Sequence, residues 1–272
     1  MRLGSVFFAV LLAGFAARPA AAEHPSLVEA RALYNEARYE AAISAASMAR
    51  ADPASADAAS LVMGRSHLER HRLLADAVEL TAARTALGAV RPAALSPRDR
   101  VDLLIGLGQA LYQGESFGAA AELFDTALSQ PVVLPDRDRL LLLDWWATAV
   151  DREAQSLPPE RRMALLEQVR ERMEIEVRID PGSQPANYWL AVSARGSGDV
   201  ERAWHAAIAG WIRASLRPES AKALRDDLDR LVTQALILER ARSRPAREQG
   251  DALTAFRAEW DAIKNQWPEP PT

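Results

Sequence analysis

The sequence predicts an all-α protein built as a stack of antiparallel helical hairpins. Three observations predict it. Alanine, leucine, arginine and glutamate dominate, while aromatic residues make up only 6% and glycines number 13 in 272 residues, a usage that costs little side-chain freedom in helices. Apolar residues recur three and four apart, the spacing of one helix face. The same pattern then returns along the chain, interrupted each time by a turn signal.

The elements follow in chain order. Arg2 precedes an apolar run from Val6 to Phe15, and small residues lead to Ala20-Ala21-Ala22 before Glu23. This arrangement predicts a cleavable signal peptide over residues 1–22, and with it a periplasmic or secreted protein. The run is shorter than the roughly 20 apolar residues that span a bilayer, so no stable membrane insertion is expected after cleavage. Removing the segment deletes two arginines and no acid, which takes the net charge from −4 to −6.

From Glu23, Ala30 and Leu33 belong to a first helix and Tyr39, Ala42, Ala46 and Ala49 to a second, closed by Asp52-Pro53. From Asp57, Gly64 takes a small packing position, an enlarged turn falls at His71-Arg72, and a looser helix covers Ala77 to Leu87. From Val101, Leu104, Leu107, Gly108 and Leu111 form one apolar stripe. Gly114-Glu115-Ser116 turns the chain, and Phe117, Ala120, Phe124 and Ala127 answer from the returning helix. From Leu140, a helix carrying Leu143, Trp146, Ala147 and Val150 precedes Pro158-Pro159, a pair that suits a helix start. The helix it opens runs through Leu165, Val169 and Met173 to Asp180-Pro181. From Gln184 the pattern returns with Leu190, Ala191, the turn Gly198-Asp199, Ala203 and Ala207.

The unit from Val101 resembles the tetratricopeptide repeat in the order of its large and small positions. Hairpin starts at 23, 57, 101, 140 and 184 give a first interval equal to the 34-residue period of that family and longer ones after it. The resemblance implies a right-handed superhelical stack over residues 23–216. Helices near Ser220 to Ala241 and Arg247 to Gln266 lack the register and are expected to cap the stack over 217–267, with residues 268–272 as a flexible tail.

Cysteine is absent, which excludes disulfides, thiolate metal sites and a lipidated cysteine. Arginines are interleaved with acids, so no continuous basic footprint for nucleic acid is present. His67 and His71 share a helical face and are the least implausible metal ligands of an alternative envelope hydrolase. Glu69, however, sits midway between them, not beside either as metalloproteases require. Acid clusters at Glu171, Glu174 and Glu176 and at Asp226, Asp227 and Asp229 have arginines at ion-pair spacing, Arg178 after Glu174 and Arg230 after Asp226. Gly106-Leu107-Gly108 lacks the third glycine of a dinucleotide fingerprint and reads as helix packing. Most of the seven tryptophans should be core, with one of the adjacent pair Trp145-Trp146 partly exposed. The sequence thus offers no catalytic constellation, cofactor site or metal site.

The resemblance also implies that the first helices of successive hairpins line a concave face. By register that face comprises Arg31, Tyr34 and Asn35; Leu61, Arg65 and Leu68; Ile105, Gln109, Tyr112 and Gln113; Asp144, Thr148, Asp151 and Arg152; and Tyr188, Val192 and Arg195. A mixed aromatic, amide and charged lining suits a peptide or protein partner. The expected role is a non-catalytic scaffold or adaptor of the cell envelope, with a purely structural or oligomerising repeat as a further possibility.

Overall fold

A computed structural model describes residues 23–268. The expected signal peptide lies outside the described residues, as do residues 269–272 of the expected tail. The helices are α1 (Pro25–Asn35), α2 (Tyr39–Ala49), α3 (Ala56–Leu74), α4 (Ala77–Gly88), α5 (Pro97–Gln113), α6 (Phe117–Leu128), α7 (Asp136–Gln155), α8 (Pro159–Ile179), α9 (Gln184–Gly196), α10 (Val200–Arg213), α11 (Pro218–Leu231), α12 (Ile237–Arg242) and α13 (Gln249–Gln266). A π-helical turn, Val232–Leu236, joins α11 to α12. There is no strand among the described residues.

Each helix packs chiefly on its sequence neighbours, and α11 returns to lie on α9. The short links are made by residues in the left-handed region, Ala37 between α1 and α2, Ala75 between α3 and α4, Glu115 between α5 and α6, and Gly198 between α9 and α10. A left-handed residue both ends one helix and reverses the chain, so two or three residues suffice. Of the four, only Gly198 escapes the steric cost of that conformation.

Three expectations need correction. His71 and Arg72 do not form an enlarged turn. They extend α3 to Leu74, because the stop signal is Ala75, and the side chain of Asp76 then accepts from Val78 N at 2.9 Å to start α4. α5 begins at Pro97, ahead of the expected Val101, since Ser96 Oγ accepts from Asp99 N at 3.1 Å and donates to Asp99 Oδ2 at 2.8 Å. The single stripe expected on α5 is also too narrow. Val101, Leu103, Ile105 and Ala110 are buried, while Leu104, Leu107 and Leu111 are half-buried. A helix held between a preceding and a following hairpin has two faces to cover.

The core is a series of apolar clusters. Leu27, Leu33, Ala46 and Val62 join α1 to α3. Leu61, Leu68, Leu87 and Leu103 join α3 to α5. Phe124, Leu143, Trp146, Met173 and Trp189 belong to a larger cluster from α5 to α9, and Trp204, Trp211, Leu228, Leu236 and Trp260 to one from α9 to α13. Gly108 sits where an added Cβ would lie 2.5 Å from Cε1 of Phe124, so α5 and α6 approach through it.

Candidate functional site

A cleft of about 690 Å³ opens across the first helices of the N-terminal hairpins. Arg31, Tyr34 and Asn35 come from α1, Leu61, Arg65, Glu69 and Arg72 from α3, Arg98, Asp99, Asp102 and Ile105 from α5, and Arg137, Asp138, Leu141 and Trp145 from α7. Among the concave-face residues expected from the sequence, Arg31, Tyr34, Asn35, Leu61, Arg65 and Ile105 therefore lie together.

Ion pairs cross the cleft floor from helix to helix. Arg31 donates through Nη1 and Nη2 to Asp99 Oδ1 and Oδ2 at 3.0 and 3.1 Å, the two-point geometry that favours arginine over lysine, and its Nε lies 3.1 Å from Glu23. Arg65 Nη1 stands 3.3 Å from Asp102, whose Oδ2 also accepts from Arg98 Nε at 3.4 Å, and Arg98 Nη2 donates to Asp138 at 2.9 Å. The Arg65 guanidinium rests over the Tyr34 ring, 4.7 Å from its centroid. Burial acts to lower the Arg31 pKa, but its bonds to Asp99 and the nearby carboxylates outweigh it and hold the guanidinium above its usual value. Burial raises the Tyr34 phenol, so it stays neutral at physiological pH. Three atoms of this floor, Arg31 Nε, Arg65 Nε and Asp102 Oδ1, are buried without a hydrogen-bond partner.

The other concave-face residues lie outside the cleft. Gln109 is buried in α5, Tyr112 packs edge-on against Phe117 with ring centroids 5.2 Å apart, and Gln113 donates to Leu68 O at 3.3 Å. Asp144 accepts from Trp189 Nε1 at 2.8 Å, and burial raises its pKa against the pull of that bond. Thr148, Asp151 and Arg152 are on α7; Asp151 accepts from Gln155 at 2.7 Å. Tyr188, its phenol also raised by burial, meets Trp189 edge-on with ring centroids 5.6 Å apart, and Val192 packs against the cluster from α5 to α9. Arg195 pairs with Glu239 of α12 at 2.7 Å and Gln184 donates to Asp227 of α11 at 3.2 Å, so the C-terminal helices engage this end of the face.

Register alone missed Arg98, Asp99, Arg137 and Asp138, since it started α5 and α7 about a turn late, and it passed over Asp102 inside the expected helix. Ser96-Pro97 with Asp99 three residues after the serine was the signal available for α5. Trp145, half-buried beside the fully buried Trp146, is the exposed member of its pair.

The histidines are built into the fold separately. His67 Nδ1 lies 2.6 Å from Glu79 Oε2, Arg70 Nε donates to Glu79 Oε1 at 2.8 Å, and His71 Nδ1 lies 2.7 Å from Asp76 O. Burial tends to raise the Glu79 pKa, but the His67 and Arg70 hydrogen bonds prevail and lower it. Among the described residues, no three histidine, aspartate or glutamate side chains gather as a metal site. The expected partners within the acid clusters are replaced by nearer ones. Glu174 pairs with Arg170 and Arg202, Asp226 with Lys222, and Arg230 with Asp227. No helix among the described residues is long and apolar enough to cross a membrane. Comparison of the chain with protein-family models, curated proteins and solved structures finds no match.

Proposed function

We propose that this protein is a non-catalytic interaction module, an exported tetratricopeptide-like array of five hairpins over 23–216 with a terminal cap over 217–267. It works in the periplasm or outside the cell and takes a peptide or protein partner. The observation that carries the reading is the cleft itself, an open concavity with polar floor and apolar wall formed by first helices of successive hairpins. The helix pairing and the family-like spacing from Val101 support the array.

A photo-crosslinking residue at Asn35, exposed on the cleft rim, should trap a discrete partner in native envelopes. The same probe at Arg257, exposed on α13, should not. Equal labelling from both positions, or none from Asn35, refutes the assignment of the cleft.

A further inference from the structure

The charges of the cleft are layered. In each pair the carboxylate lies deep and the guanidinium toward the opening. Asp99 is 9% exposed against 34% for Arg31, Asp102 10% against 37% for Arg98, and Glu69 13% against 60% for Arg72. The exceptions are Asp138 and Glu23, each 44% exposed and so more open than its arginine; they are engaged by Arg98 and Arg31. Arg137 is exposed on the same rim and, among the described residues, has no ion-pair partner. An arriving ligand therefore meets the Arg72 and Arg137 guanidiniums at the opening, although the protein as a whole is acidic.

We propose that the cleft takes an acidic polypeptide segment in extended form. This rests on the cleft being the partner site and names the partner's chemistry. Its Asp or Glu side chains lie against Arg72 and Arg137, and its intervening apolar side chains lie on Leu141 and Trp145. The Arg72 guanidinium, bonded through Nε to Glu69, is held in place and presents its other edge to a second carboxylate, a geometry that loses little side-chain entropy on binding. Leu141 is an exposed leucine inside the cleft, a place where apolar contact is gained on binding.

The apolar wall beside the guanidiniums suits a polypeptide, which can alternate carboxylate and aliphatic side chains, better than other polyanions. A phosphodiester chain has charges in plenty but no aliphatic side chains to lie on Leu141.

Fluorescence anisotropy with the full chain tests this. The probes are a labelled peptide of alternating Glu and Leu, its Gln/Leu and Lys/Leu counterparts, and a single-stranded DNA oligonucleotide. The Glu/Leu peptide should bind at least about tenfold more tightly than each of the others, and added salt should weaken it. The double variant Arg72→Glu/Arg137→Glu, both sites being exposed, should lose at least about tenfold while its helical circular dichroism is unchanged. Glu/Leu binding that ignores the double reversal overturns the proposal, as does an oligonucleotide that binds equally well. If the Asn35 crosslink traps a partner but the Glu/Leu peptide does not bind, the acidic class is wrong and the cleft remains a partner site. If neither happens, both readings fall.

Discussion

Gly108 is where the sequence pattern and the packing meet most directly, and Gly108→Ala gives a test with an internal control. The added Cβ would stand 2.5 Å from Phe124 Cε1 and 2.8 Å from Cδ1. Carbon atoms settle at roughly 3.5–4.0 Å, so the ring must retreat by about 1 Å. It has little room, because Phe124 is fully buried and its ring centroid is 5.9 Å from that of Trp145. Overpacking of this kind costs about 1–3 kcal/mol, while replacing a helical glycine by alanine returns about 1 kcal/mol. Gly106→Ala, two residues earlier in α5, gains the same propensity, but its Cβ meets Leu87 Cδ2 at 3.3 Å and Arg65 Cγ at 3.4 Å, atoms of flexible side chains that can give by a few tenths of an ångström. Urea unfolding followed by circular dichroism should place Gly108→Ala about 1–3 kcal/mol below Gly106→Ala. Adding Phe124→Leu should recover part of the loss in the Gly108→Ala background only. Equal stability of the two alanine variants would mean that α5 and α6 do not approach through Gly108.

Two further measurements bear on the fold. Glu115→Gly should raise stability by about 0.5–1 kcal/mol, since Glu115 is held at φ 62° where a side chain costs energy that glycine avoids; a loss would show that the turn adopts another conformation. Asp57 is held below the usual carboxylate range chiefly by hydrogen bonds from Arg91, which outweigh the opposing effect of its burial. A carboxylate with a lowered folded pKa contributes stability above its unfolded value, about 3.9, and loses it as pH falls through the folded one. The difference in stability between wild type and Asp57→Asn should therefore be constant near neutral pH and shrink below about pH 4; a gap independent of pH would contradict the pairing.

The helices were legible in the sequence because apolar spacing is a local property. The alternation of Leu, Gly and Ala from Val101 locates α5 and α6, the proline pair at 158–159 opens α8, and the unregistered terminal segments correspond to the helices from Pro218 and Gln249. Helix starts were less legible, because a cap such as Ser96 acts outside the apolar pattern that the register followed. The cleft was only half legible. Tyr34 and Arg65 follow from register, but Arg31 finds Asp99 across 68 residues of sequence, and nothing local in either residue names the other. Exposure misled in the same way at Gln109, which register placed on the open face and neighbouring helices bury. Whether a position on a first helix faces ligand or protein depends on how far the next hairpin has turned, a quantity the spacing does not carry.

The serial core gives the polar floor of the cleft a second significance, in the order of folding. Each apolar cluster closes from contacts between helices adjacent in sequence, which cost little chain entropy to bring together. The two Arg31–Asp99 hydrogen bonds join helices belonging to different clusters, and neither can form until the intervening hairpins have set their mutual angle. They are thus a late, weak and salt-sensitive clasp on an otherwise locally determined chain. A segment bound across α1, α3, α5 and α7 would fasten together parts of the molecule that can otherwise open one at a time.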